Sequence, residues 1–199
     1  MSGDTVSPSL FPDRPVPRSE VHDVLDRCYT PSSLAEAIVA RAYVGTPRRV
    51  VEPSVGGGAF VRAVRAMWPE VEVIGVDLDP EATGLALVDR PIRGDYLDVL
   101  PDLEDVDLVI GNLPFGVSLD HVRETRARLP RASLVAVLPW AYPGVRKWAD
   151  YLAADPPASV TPILGRPWNT RVRETAVYHW TPVRLSRATI LGLPAIKWR

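Results

Sequence analysis

Four consecutive residues, Asn112-Leu113-Pro114-Phe115, carry groups suited to gripping a flat amino group. The Asn112 carboxamide offers one acceptor oxygen, the neighbouring main-chain carbonyl offers a second, and Phe115 can stack on the planar group that bears the nitrogen. The same residues also read as a strand running into a proline turn, and a tetrapeptide alone does not decide between the two. The apolar run ahead of them begins at Val106, so the motif sits at a strand end and continues to Gly116.

A second segment, RVVEPSVGGGAFVRAV from Arg49 to Val64, joins a short β-branched strand to a glycine turn and an amphipathic helix. Gly56 to Gly58 let the main chain approach a ligand closely. A dinucleotide fingerprint needs a third glycine where Val61 stands, and a P-loop needs a Gly-Lys-Ser/Thr ending that is absent. The following strand, VEVIGVDLDP, ends in Asp77, near the separation at which an acidic residue takes ribose hydroxyls in doubly wound folds. These features point to a ligand with a ribose and no pyrophosphate.

A third strand end supplies Asp95 and Tyr96, and the fourth supplies Asn112. Ligands of open α/β sheets lie outside the carboxyl ends of the strands, so successive strand ends are the expected address of a site.

In this order the blocks YTPSSLAEAIV, VEPSVGGGAF, GVDLDP, GDYLD and GNLPFG resemble the S-adenosylmethionine-dependent amino-methyltransferases, and most of all the N6-adenine DNA methyltransferases. The resemblance spans Tyr29 to Gly116. It implies a Rossmann-like class I methyltransferase fold, α/β, with a mostly parallel sheet and an antiparallel C-terminal strand. It implies that Tyr29, Thr30 and Pro31 contact the methionine end of S-adenosylmethionine, and that Glu52, Pro53, Gly56 and Gly58 form its floor. Phe60 would wall the pocket, Asp77 would bind the ribose hydroxyls, Leu78 would pack on the adenine, and Asp95 beside Tyr96 would accept from the adenine amino group. At the catalytic turn, Asn112 and the Leu113 carbonyl would hold the target amino group, with Pro114 in the turn and Phe115 on the target base. The implied reaction is in-line displacement of the sulfonium methyl by the adenine nitrogen, with the base flipped out of the duplex.

Two features keep other acceptors open. The DNA enzymes commonly carry a second proline where Leu113 stands, and Asn-Leu-Pro-aromatic runs also occur in ribosomal RNA adenine dimethylases. Glutamine side-chain methyltransferases grip a planar amide with a similar Asn-Pro-Pro-Tyr turn. DNA is favoured, RNA and protein are the alternatives, and a non-catalytic cofactor-binding partner subunit is a reading of a different class.

The net charge of −1 hides an asymmetry. Residues 1–116 carry 10 Lys+Arg against 19 Asp+Glu, whereas residues 117–199 carry 13 against 5. The acidic part suits a sulfonium cation and the basic part suits a polyanion. Arg123, Arg126, Arg171 and Arg173, with Trp168 for stacking, are the candidate nucleic-acid contacts. The alternative for the arginines is a solvated helix face, and Trp180, which ends an alternating strand, reads as core. The loop GRPWNTRVR, Gly165 to Arg173, is the longest candidate reader of a target; a specificity partner subunit or a homodimer would supply the rest. A lone Cys28 excludes an internal disulfide, and His22, His121 and His179 lack ligand spacing, so no metal is expected. No apolar stretch reaches membrane-spanning length and no signal-peptide pattern is present, which predicts a cytoplasmic protein with no membrane partner.

The elements that position these residues follow from periodicity. Residues 1–18 are expected to form a flexible proline-rich tail, 19–181 a single domain, and 182–199 a basic, apolar tail that docks on the core or a partner. A short helix is predicted from Ser19, and another after Pro31 with capping-box spacing at Ser33 and Glu36. Strands are predicted at 71–76, 106–110 and 133–138, with helices near 81–88, over Ser118–Leu129 and around 144–154. Glu174–Trp180 alternates like an antiparallel strand closing the sheet.

Overall fold

The structure, a computed structural model, describes residues 29–42, 45–164, 174–183 and 196–197. The predicted tail at 1–18, the helix from Ser19, Cys28, and the loop holding Trp168, Arg171 and Arg173 lie outside the described residues.

Helix α1 (Ser32–Ala42) precedes β1 (Arg49–Glu52), α2 (Ala59–Met67) and β2 (Glu72–Asp77). A 3-10 turn at Thr83–Leu87 leads into β3 (Arg90–Arg93), then α3 (Tyr96–Val99), β4 (Leu108–Asn112) and α4 (Ser118–Arg128). Strand β5 (Ser133–Pro139) is followed by a 3-10 turn at Tyr142–Gly144, α5 (Arg146–Ala154), β6 (Ser159–Leu164), β7 (Thr175–Trp180) and the two-residue β8 (Ile196–Lys197).

The strands form one sheet in the order β3-β2-β1-β4-β5-β7-β6-β8. From β3 to β5 every pairing is parallel, because each strand is connected to the next through a crossover. β7 then enters antiparallel between β5 and β6. The strand order reverses at β1 and β4, which pair directly, so a crevice opens above their carboxyl ends.

Alternate side chains of β1, β2, β4 and β5 supply two separate cores. On one face Val50, Val73, Leu108 and Val135 pack with Leu34 and Ile38 of α1 and Phe60 and Val64 of α2. On the other, Val51, Ile74, Val109 and Leu134 pack with Leu119 and Val122 of α4 and Trp148 of α5. Burial on both faces explains why β5, SLVAVLP, is apolar after its first residue: all seven of its residues are buried. Trp180 is fully buried at the end of β7, as its alternation predicts, and donates its indole N–H to the Asp155 carbonyl at 3.0 Å.

Three local expectations differ from the structure. The predicted helix near 81–88 is a 3-10 turn. Ser33 lies inside the first turn of α1, which starts at Ser32 on the carbonyl of Pro31. Strand β6 answers to no predicted element, and the expected tail after 182 contributes β8 to its far edge.

Candidate active site

The crevice above the switch point is a cleft of about 470 Å³ lined by residues from four strand ends and the loops behind them. It brings together Tyr29, Thr30, Glu52, Pro53, Gly56, Phe60, Asp77, Leu78, Asp95 and Tyr96 with the whole Asn112–Phe115 turn. Pro31 and Gly58 lie outside the lining and act on it indirectly: the Pro31 carbonyl starts α1, and Gly58 caps α2 with φ of 75°.

The glycine turn folds as it does because two other elements hold it. The Gly56 amide donates to Asp77 at 2.7 Å, and the Gly84 amide donates to the Gly56 carbonyl at 2.9 Å. Gly56 and Gly58 both have positive φ, where a side chain would be strained. Tyr29 lies across the turn, since a Cβ on Gly56 would sit 3.1 Å from its ring.

At the floor, Glu52 ends β1 beneath the cleft, with only 3% of its surface exposed. A Cβ on Gly111 of β4 would be 3.6 Å from Glu52 Cγ, which puts the carboxyl beside the strand that carries Asn112. Its Oε2 has no hydrogen-bond partner among the described residues. Burial, reinforced by the nearby negative charge of Asp77, holds its pKa well above the usual carboxylate range. Asp77 keeps both oxygens on main-chain amides, Gly56 and Asp79, which fixes the carboxylate while leaving lone pairs for hydroxyl donors. Asp95 caps α3 by accepting from the Leu97 amide. Tyr96 is buried, its hydroxyl 2.9 Å from Thr125 Oγ1 of α4, and burial raises its pKa so that it stays a neutral phenol.

The Asn112–Phe115 turn opens on the same cleft. Leu113 is buried, which anchors the turn in the core on the α4 side. The Phe115 carbonyl accepts from both Ser118 and Tyr142.

The expected nucleic-acid contacts fare differently. Arg126 is not a nucleic-acid contact. It is 3% exposed and forms a fork with Asp155, 2.9 Å from Nε to Oδ2 and 3.1 Å from Nη2 to Oδ1, so its guanidinium faces the core and not a substrate. Arg123 is outside the cleft lining and half-exposed on α4, over the Tyr151 ring at 5.9 Å. His121, read as a scattered histidine, in fact lines the cleft on α4 with its ring centroid 5.2 Å from that of Tyr96. Sequence reasoning also misses Arg62, Gly84 and Tyr142; nothing in their local sequence marks them. Among the described residues, no group of three His, Cys, Asp or Glu side chains is placed to hold a metal, and no helix is long and apolar enough to cross a membrane.

The fold is shared with solved structures. The M protein of the type I restriction enzyme EcoKI superposes with a TM-score of 0.64 at 18% identity, over 81% of this chain and 47% of that one. The methyltransferase subunit of a type I restriction-modification system from Streptococcus thermophilus gives 0.62 at 15% identity, over 78% and 45%. This is a class I methyltransferase fold. No family model matches the chain. By sequence, it is similar to the type II methyltransferase M.TthHB8I of Thermus thermophilus, 34% identical over 109 residues, 54% of this chain and 25% of that one. It is also similar to the type II methyltransferase M.XamI of Xanthomonas campestris pv. amaranthicola, 29% identical over 99 residues, 44% of this chain and 19% of the relative. The matched stretches thus span about a quarter or less of those relatives' lengths.

Proposed function

We propose that this chain is an S-adenosylmethionine-dependent methyltransferase that modifies the N6 amino group of adenine in DNA. The observation that carries the reading is that an Asn112–Phe115 turn with two acceptors opens on the cleft that also holds a buried carboxyl and a fixed Asp77. That donor set fits the cofactor: the lone Oε2 of Glu52 suits a ligand bearing positive charge, and Asp77 suits vicinal hydroxyls. Tyr29 and Leu78 supply apolar surface beside them.

When bound, the cofactor supplies an activated methyl group. The rest is the work of the chain. An adenine amino nitrogen is a weak nucleophile because its lone pair is delocalised into the ring. Hydrogen bonds from its two N–H groups to Asn112 and the Leu113 carbonyl would favour a pyramidal nitrogen and stabilise the positive charge that develops as the N–C bond forms and the S–C bond breaks, after which the methylated nitrogen releases one proton to solvent. Phe115 would stack on the base and return part of the cost of flipping it. The aromatic and basic loop 165–173 is the proposed reader of neighbouring bases, with a partner subunit completing specificity.

The test is transfer of radiolabelled methyl from S-adenosylmethionine to duplex DNA, single-stranded DNA, ribosomal RNA and cell-extract protein, followed by nucleoside analysis. Label in N6-methyladenine of DNA is the expected outcome. Label confined to RNA or protein would replace the acceptor, and cofactor binding with no label would indicate a non-catalytic subunit. Asn112→Ala should abolish turnover and spare cofactor affinity, and equal loss of both in calorimetry would remove Asn112 from the acceptor site.

A further inference from the structure

Two hydroxyls from different parts of the chain converge on one carbonyl of the acceptor turn. Ser118 Oγ, fully buried at the start of α4, donates to the Phe115 oxygen at 2.9 Å. Tyr142, in the 3-10 turn after β5, donates to the same oxygen at 2.9 Å. The two hydroxyls are themselves 3.1 Å apart. The Ser118 contact is local, three residues along the chain, and shapes the turn. The Tyr142 contact is long-range and ties the turn to a separate element.

Tyr142 is itself held rigidly. Its ring stacks on Trp148, with centroids 4.5 Å apart and planes 16° from parallel, and Trp148 is 1% exposed. Trp148 in turn meets Tyr151 edge-on. The anchor for the turn is therefore the aromatic core beneath α5. The Val117 amide closes the turn on the Pro114 carbonyl at 3.2 Å, and the two hydroxyls add a hold on the Phe115 peptide itself, which precedes the exposed Gly116. The ring of Phe115 and the carbonyl of Leu113 both depend on the orientation of this turn.

We infer that Tyr142 and Ser118 are positioning residues for the acceptor, clamping the Phe115 carbonyl so that the Phe115 ring and the Leu113 oxygen are set before a base arrives. The inference rests on the proposed methyl transfer and extends it to residues that do not line the cleft. Neither hydroxyl belongs to the cofactor side, so their loss should act on turnover and acceptor KM rather than on cofactor binding.

Tyr142→Phe removes the hydroxyl and keeps the stack on Trp148. In Tyr142→Phe and in Ser118→Ala, kcat on whichever acceptor the wild type labels should fall about threefold to tenfold, and further in the double variant. The cofactor Kd should not move. Amide hydrogen exchange over residues 115–118, measured with cofactor alone, should quicken about tenfold in Tyr142→Phe. Wild-type kcat in both single variants overturns the clamp, as does unchanged exchange in this turn. Label on RNA or protein instead of DNA overturns only the choice of acceptor, and the same kcat comparison then decides the clamp on that substrate.

Discussion

The Gly56 amide donates to Asp77 Oδ2 at 2.7 Å, which ties the glycine turn after β1 to the carboxyl end of β2. One carboxylate thus shapes the loop and faces the cleft. Asp77→Asn must give up one acceptor oxygen, so it loses either the Gly56 or the Asp79 contact or turns a donor toward the ligand. Cofactor affinity should fall by about tenfold or more, with global stability lowered by only about 1 kcal/mol. Calorimetry and denaturant melts on the same preparation check the split.

Glu52 should make cofactor affinity depend on pH. Its pKa is raised by burial and by Asp77, so the free protein carries it protonated above its ordinary 4.5. A cationic ligand favours the carboxylate, so binding releases a proton and tightens as pH rises toward the raised pKa. Stability runs the other way. Between the ordinary and the raised pKa the unfolded chain binds fewer protons than the folded one, so the free protein loses stability as pH rises through that window. Glu52→Gln should flatten both profiles, weaken cofactor binding by about tenfold, and melt no lower than wild type at about pH 8. Affinity measured across pH in two buffers of different ionisation heat tests the proton release directly.

Gly84 has no room for a side chain. A Cβ there would collide with Val55 Cγ1 and sit 2.7 Å from the Gly58 amide nitrogen. Gly84→Ala should cost about 1–3 kcal/mol and distort the glycine turn enough to reduce cofactor affinity as well. Gly144→Ala, where a Cβ meets nothing within 4 Å, should stay within about 0.5 kcal/mol of wild type. Thermal melts of the pair provide the comparison.

The Arg126–Asp155 fork also holds Tyr151 at 3.0 Å and the Thr181 carbonyl at 2.8 Å, joining α4, α5 and the end of β7. Asp155→Ala leaves a buried cation and should destabilise the protein by about 3–5 kcal/mol, whereas replacing both partners with apolar residues should cost much less. Since Arg126 does not face a polyanion, the double variant should leave the salt dependence of nucleic-acid binding unchanged. A reduced slope would return Arg126 to the substrate face.

The ends of β1, β2 and β4 are legible because each follows a β-branched run with Gly or Pro close by, and the acidic or amide residue falls there; β3, RPIR, is marked only by the Gly94 that follows it. Glu52, Asp77, Asp95 and Asn112 all lie at these strand ends, and the core side of Trp180 follows from simple alternation. Strand β6 was illegible: SVTPIL carries Pro162 and reads as a non-strand, yet it pairs at the less demanding end of the sheet beyond β5. Arg126 is illegible for a different reason. Charge counting along a helix places every arginine on the surface, against a polyanion or solvent, and the partner that buries this one lies 29 residues further on. Gly84, Tyr142 and His121 acquire their roles only from contacts across the fold.

Among the described residues, every one that lines the cleft falls between Tyr29 and His121, a stretch that runs from just before α1 into α4. The pocket is therefore contiguous in sequence. Lengthening, trimming or exchanging the chain beyond β5 leaves its walls covalently intact, and the side-chain tether from Tyr142 to Phe115 is what reaches back across that seam to the acceptor turn. Exchange of the chain beyond β5 should spare the cleft lining, provided that contact is preserved.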